Sequence, residues 1–314
     1  MKSGPMAPTE MGRAIAAQPA ELARLLADSA AVEELAPSLG GRRTFVVGTG
    51  TSFHAANQGA YLLRLAGLEA LAVAASDTVL WGPAPSADEA LVVLSHRGTK
   101  RYTSQALARA RREGVVAVSI GGIGSGAEIE TVEQERSGTF TVSHLGALMR
   151  LAQLARILGA GLDLEAVPDA VAGVVEGPSP GVRLPERGLD FVGAGPNQWT
   201  AAEGALKVRE AAHIFASGYA VEQLLHGPGF ALEEHDALIS LDGGGPASER
   251  LAELLRAIES RGARVHRFAS SELGEALSIF PLTAVVQRIA LDFATLVGSD
   301  PDDVAPPAWK SLEL

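Results

Sequence analysis

Three residues of the 314-residue chain stand out for chemistry: Glu203, Lys207 and Glu210 follow one another at i, i+4 and i+7, so two carboxylates and an ammonium share one helical face. Around them the stretch is mostly apolar: Ala201, Ala202, Ala205, Leu206, Ala211, Ile214 and Phe215. On spacing alone such a stripe is either a solvated Glu–Lys ladder or a charged group set in a buried wall. His226 stands in Leu224-Leu225-His226-Gly227-Pro228-Gly229, where the turn residues after it are expected to expose its ring. Lys310 sits in a proline-spaced tail beside Trp309, an aromatic that would dock the tail. None of the seven histidines has metal-ligand spacing, so no metal is expected. No Gly-x-Ser-x-Gly elbow is present either, and no cofactor is called for.

Two further stretches suit an anion. Gly48-Thr49-Gly50-Thr51-Ser52 follows an apolar run and opens an Ala-rich helix, where backbone N–H groups and hydroxyls favour negative charge. Ser95, His96, Arg97, Gly98, Thr99 and Lys100 add glycine freedom, hydroxyls and two cations at another helix start. The first could also begin a dinucleotide fingerprint, but Phe53 stands where G-x-G-x-x-G needs its third glycine.

The elements that must hold these groups come from an internal repeat. Thr44-Phe45-Val46-Val47-Gly48 before its glycine turn is answered by Leu189-Asp190-Phe191-Val192-Gly193 before Ala194-Gly195-Pro196, and Gly48 and Gly193 are 145 residues apart. Ala90-Leu91-Val92-Val93-Leu94 is answered by Ala237-Leu238-Ile239-Ser240-Leu241 at an offset of 147, and the helix ends at Gly114 and Gly262 lie 148 apart. The strand runs are short and continuously apolar, as in parallel sheets covered by helices on both faces. The expected fold is α/β: two tandem flavodoxin-like, doubly wound units with parallel sheets, preceded by an amphipathic helix near residues 11–27 and followed by a C-terminal tail. A Pro/Gly linker at 177–181 puts the first domain at 1–177 and the second at 178–314. The helix after Gly193 is expected to run from Gln198 to Ser217. Ligands of such sheets bind beyond the carboxyl ends of the strands, which brings the two anion loops to one edge. At the matching loop the second unit has Asp242-Gly243-Gly244-Gly245, with an acid that repels phosphate, so the anion site is assigned to the first unit.

Composition narrows the function classes. Hydrophobic residues at 47% and charged ones at 20% describe a globular chain. A net charge of −11 and only 5% aromatics exclude a nucleic-acid platform. The absence of cysteine excludes disulfides and thiol chemistry. No apolar run of membrane-spanning length and no N-terminal signal core are read, so no membrane partner and a cytoplasmic location are expected.

Taken together, these residues resemble the double sugar-isomerase-domain (SIS) family, in particular the isomerase half of glucosamine-6-phosphate synthase and the deaminases that lack a glutaminase half. Thr49-Gly50-Thr51-Ser52 is similar to the family's C-G-T-S turn, and residues 95–100 occupy its S-x-S-G-x-T phosphate loop. Ala205-Leu206-Lys207-Val208-Arg209-Glu210 resembles A-L-K-x-K-E, Leu225-His226-Gly227-Pro228 resembles K-H-G-P, and Lys310-Ser311 resembles A-K-S. The resemblance implies a sugar-phosphate partner held by Gly50, Thr51, Ser52 and the 95–100 loop, with Ser143 contributing. It implies that Glu210 shuttles a proton between C1 and C2, assisted by Lys207. It further implies that His226 opens the sugar ring from a second subunit of a homodimer, with the active site at the interface, and that Lys310 binds the open-chain carbonyl.

This sequence departs from the family in places that touch the substrate. Arg97 and Lys100 replace a serine and a threonine, making a more cationic loop. Thr141-Val142-Ser143-His144-Leu145 stands for V-A-S-T-K, and Gln223 and Leu225 replace charged residues before His226. The glutaminase half has no counterpart, so glutamine is not expected as nitrogen source. The leading expectation is conversion of glucosamine 6-phosphate to fructose 6-phosphate and ammonia. The alternatives are a fructosamine-phosphate deglycase, an ammonia-independent sugar-phosphate isomerase, and a non-catalytic sugar-phosphate sensor.

Overall fold

The computed structural model describes residues 9–310, the side chains of Pro307 and Lys310 excepted. It divides into two compact units. One comprises residues 20–134, 142–168 and 307–310; the other comprises 9–19, 135–141 and 169–306. Helix α1 (Glu10–Ala27) therefore contributes to both.

In the first unit α2 (Ala30–Leu39) leads into β1 (Thr44–Gly48), α3 (Thr51–Leu65), β2 (Ala70–Ala74), α4 (Ala75–Leu80), β3 (Ala90–Leu94), α5 (Arg101–Arg112), β4 (Val116–Gly121), β5 (Ile129–Glu130) and α6 (Val142–Ile157). The sheet order is β2-β1-β3-β4-β5, with every pairing parallel. This is the flavodoxin-like order, whose topological switch point lies between β1 and β3. Both strands are buried along their whole length, which is why they read as unbroken apolar runs. Val47 pairs in register with Val93, so the loops after Gly48 and Leu94 leave the same edge side by side.

Helix α7 (Val167–Val175) precedes the second sheet, built from β6 (Leu189–Gly193), α8 (Asn197–Ala212), β7 (Ala216–Ala220), α9 (Val221–Leu225), a 3-10 turn (Pro228–Ala231), β8 (Ala237–Asp242), α10 (Ser248–Glu259) and β9 (Arg264–Ala269). Its order, β7-β6-β8-β9, is again parallel and repeats the first four strands of the other sheet. The expected fold of two tandem doubly wound units is the observed one. The chain continues through α11 (Gly274–Leu277), α12 (Ile279–Val297) and α13 (Pro307–Lys310).

Two expectations are corrected. Helix α8 does not reach Ser217: His213 adopts a left-handed conformation (φ 56, ψ 28) that ends the helix, and Ser217 lies in β7, paired with Asp190 of β6. An apolar segment long enough to span a membrane does exist, at Gly274–Val297, but most of it is buried in its own unit. There Leu282, Val286, Ile289 and Phe293 of α12 pack against Ala201, Ala205 and Val208 of α8 and Phe191 of β6. Gly204 makes the approach possible, since a Cβ there would meet the Phe191 ring at 2.9 Å and Val286 at 3.0 Å. Gly59 of α3 plays the same part against Leu151 of α6, and it lies 145 residues before Gly204. The repeat therefore extends from the strands into the helix packing.

Candidate active site

In the first unit the chain leaves β1 through a tight glycine turn. A Cβ on Gly48 would overlap the Ser52 carbonyl, and Gly50 takes φ +57, a conformation that favours glycine. The turn feeds α3, with the Phe53 and His54 N–H groups donating to the Gly50 carbonyl at 2.8 and 3.2 Å. Among the described residues none beyond its chain neighbours comes within 4 Å of the Cβ position at Gly50, so the space over the turn is open. Thr51 and Ser52 stand at this helix start, facing an edge where an anion is favoured by both N–H groups and dipole.

The second loop is tied down residue by residue. The Gly98 N–H donates to the Ser95 carbonyl at 3.1 Å, and the Gly122 N–H donates to the His96 carbonyl at 2.8 Å. Thr103 donates to the Lys100 carbonyl at 2.9 Å and lies 3.3 Å from the Ser95 hydroxyl. The Ser104 hydroxyl donates to the Gly98 carbonyl at 3.1 Å. Arg97 and Thr99 are exposed, and Lys100 caps the start of α5. Burial, then the Arg97 charge, pushes the His96 imidazole down to about 4, so it is neutral at pH 7. The same two causes lower the Lys100 ammonium, with no carboxylate acting in the other direction. A loop of this sign in a chain of net charge −11 is locally favourable to negative charge. A cavity of about 220 Å³ opens beside it, bounded by Ser95, Gly98, Thr103, Ser125 and Arg111. Ser143 is on a different element, the second residue of α6, and is buried.

In the second unit the charged stripe of α8 is not a surface ladder. The Glu203 and Lys207 side chains are 0% and 1% exposed, while Glu210 is 28% exposed. Lys207 Nζ pairs with Glu203 at 3.5 Å and, more closely, with Glu210. Burial by itself lowers a lysine; here the carboxylates of Glu210, Glu203 and Glu135 outweigh it, and the Lys207 pKa is raised. Lys207 is thus a permanent cation that fixes the Glu210 carboxylate, not a free amine. Glu135 is the residue that sequence reasoning missed. It is buried, accepts from the Thr141 N–H at 2.9 and 3.0 Å and from the Thr141 hydroxyl at 3.1 Å, and belongs to a short segment counted with the second unit. No periodicity or spacing connects it to α8, so no local signal could have found it.

His226 follows α9 with its ring 77% exposed, as the turn residues imply, and its Nε2 is 3.4 Å from Glu222. Within the chain its ion-pair partner is Glu222, which also accepts from Arg250 at 2.8 Å. Lys310 ends α13, and its side chain and Ser311 lie outside the described residues. Trp309 is half exposed. Asp242 is engaged in its own loop, accepting from the Gly244 N–H at 2.9 Å and the Ser248 hydroxyl at 2.7 Å.

No protein-family model matches the chain. It is 25% identical over 300 residues to the glutamine–fructose-6-phosphate aminotransferase [isomerizing] of Pyrococcus horikoshii, covering 83% of this chain and 50% of that protein. The chain thus spans about half the length of the curated relative. Among solved structures, the C-terminal domain of glucosamine-fructose-6-phosphate aminotransferase from Francisella tularensis superposes with a TM-score of 0.82 at 18% identity, over 96% of this chain and 99% of that one. The chain resembles the SIS phosphosugar isomerase domains in sequence and shares the fold of their solved structures. A further neighbour, glucosamine-6-phosphate deaminase from Thermotoga maritima, has a TM-score of 0.74 at 21% identity, over 95% of this chain and 98% of that one. In this chain the two glycine- and hydroxyl-bearing loops and the Glu203–Lys207–Glu210 stripe fall in different units.

Proposed function

We propose that the chain is a deaminating sugar-phosphate isomerase that converts glucosamine 6-phosphate to fructose 6-phosphate and ammonia. The observation that carries this reading is the buried Lys207 held between Glu203 and Glu210, with Glu210 alone of the three partly open. A fixed, charged carboxylate is what proton abstraction next to a carbonyl requires.

In this reading the phosphate rests on Gly50, Thr51 and Ser52 and on Ser95, His96, Arg97, Gly98, Thr99 and Lys100, with Ser143 toward the sugar. Backbone N–H groups and hydroxyls donate to its oxygens, and Arg97 and Lys100 balance its charge. His226 of a second copy of the chain moves the ring-opening proton from O1 to O5. Glu210 takes the C2 proton while O1 gains one, and the electron pair forms a C1–C2 enolamine. The proton returns at C1 and the nitrogen gives one up to solvent, leaving an imine at C2. One water adds, one ammonia departs, and the C2 carbonyl of fructose 6-phosphate remains. Lys310 engages the open-chain carbonyl during these steps.

The test is product analysis. Purified protein given glucosamine 6-phosphate should yield ammonia and fructose 6-phosphate in equal amounts, and Glu210→Gln should lower kcat by about 10²–10⁴. No ammonia from any of a panel of hexosamine 6-phosphates, with Glu210→Gln like wild type, rejects the proposal. The Arg97–Lys100 pair favours one second reading, cleavage of a fructosamine phosphate bearing a further acidic group. Mass spectrometry separates the two, because a deglycase frees a substituted amine instead of ammonia.

A further inference from the structure

The second unit repeats the glycine turn of the first almost to the degree. Gly195 has φ +53 where Gly50 has +57, and a Cβ on Gly193 would overlap the Asn197 carbonyl just as one on Gly48 would overlap that of Ser52. Both turns open a long helix at the switch point of their sheet, α3 in one and α8 in the other. The space above them differs. Over Gly50 it is empty to 4 Å. Over Gly195 lies the carboxylate of Glu275, with Oε1 at 2.7 Å, Cδ at 3.0 Å and Oε2 at 3.3 Å from the Cβ position. The same Oε1 crowds the Cβ position of Gly245, on the loop after β8. The carboxylate therefore sits between the two loops that leave neighbouring strands β6 and β8, where an α/β sheet of this type holds an anionic ligand.

We infer that the second unit retains an oxyanion cradle whose occupant is the chain's own Glu275, and that removing this carboxylate opens a site for a tetrahedral oxyanion such as inorganic phosphate. The residues around Glu275 are arranged to keep it there. The Asn197 side-chain amide donates to Ser278 at 2.8 Å, and the Ser278 hydroxyl donates to the Glu275 carbonyl at 2.7 Å, fixing the start of α12 against the first turn of α8. Both loops are built of glycine where the carboxylate approaches, since any side chain at Gly195 or Gly245 would displace it. On this inference the Glu275 carboxylate over Gly195 and Gly245, in addition to Asp242, keeps phosphate out of the second unit.

The experiment is equilibrium dialysis of the full chain against labelled inorganic phosphate, comparing wild type with Glu275→Ala and Glu275→Gln. Glu275→Ala is expected to bind one phosphate more per chain than wild type. Glu275→Gln, which leaves the space filled, is expected to bind no more than wild type. If Glu275→Ala keeps the wild-type circular dichroism and gains no phosphate, or if Glu275→Gln gains a site equally, the inference is wrong. Should Glu275→Ala fail to fold in buffer, recovery of the folded signal by phosphate and not by chloride at equal ionic strength supports the cradle, and no recovery overturns it. The reading is a difference between variants, so a wild type that binds no phosphate would reject the first-unit site while leaving this result intact.

Discussion

Replacing Lys207 by methionine removes a buried ammonium while nearly conserving its volume, so the main cost is electrostatic. Glu203, with no exposed side-chain surface, would lose a cation 3.5 Å away while its own charge stays buried. Breaking a buried pair from one side costs about 3–5 kcal/mol. At about 2–4 °C per kcal/mol for a unit of this size, the melting midpoint should fall by about 6–20 °C. Lys207→Met/Glu203→Gln, which neutralises both members, should recover most of the loss. In the single variant Glu203 relieves the strain by taking up a proton, so the deficit should narrow as the pH falls toward about 4. In wild type the folded Lys207 pKa lies above the ordinary lysine value of about 10.4, so its stabilisation is fully present below that pH and is lost only as the pH rises through the raised value. Thermal melts from pH 4 to 9, followed by circular dichroism, measure all of this. A single variant melting within about 2 °C of wild type, or a double variant no better than the single one, would refute the reasoning.

Three other outcomes follow from the same geometry. Arg97→Ala and Lys100→Ala should each raise KM for the sugar phosphate about ten- to hundredfold, the worth of a charged hydrogen bond, with kcat little changed; initial-rate kinetics would show the opposite split if these residues do not hold phosphate. His96 is held near 4 against about 6.5 unfolded, so the unfolded state binds more protons between those values and stability should fall as the pH drops through that window, by about 3 kcal/mol in all. Urea titrations at pH 7 and 4 should show His96→Gln losing that slope. Asp190 on β6 is raised to about 6 by burial and by Asp236, the reverse case: its proton is favoured in the folded state, so Asp190→Asn should stabilise at pH 7–8 by about 1–3 kcal/mol and be neutral near pH 4.

What the sequence displayed was whatever the physics writes locally. Strands β1 and β3 are buried throughout, and β6 and β8 nearly so, and they therefore appear as largely apolar runs broken in β6 by Asp190 and in β8 by Ser240 and Asp242. Strands β2 (ALAVA) and β7 (ASGYA) lie at sheet edges and consist mostly of small residues, which carry no strand signal. The end of α8 was hidden for a similar reason: a left-handed histidine at a helix end has none of the signature of a terminal glycine. At the candidate site the i, i+4, i+7 spacing was visible but its burial was not, because a solvated ladder and a buried triad share one pattern. Glu135 and Glu275 were invisible altogether, since each meets its site only through tertiary packing.

The internal repeat turns that burial into an argument about function. At the offset of 145 that aligns the glycine turns and the packing glycines, Glu203, Lys207 and Glu210 of α8 correspond to Gln58, Leu62 and Leu65 of α3. The burial profile is the same in both helices: two buried positions followed by one that is partly or well exposed. One copy of the fold therefore fills these positions with an amide and two leucines, so packing does not demand charge there. A buried ion pair is at best neutral for stability compared with apolar residues of similar size. The fold has a neutral solution at this place and uses it in the unit whose turn stands open to an anion. In the other unit, where Glu275 fills the turn, the charges are retained. That division supports the proposed role of α8 in the reaction over a purely structural one.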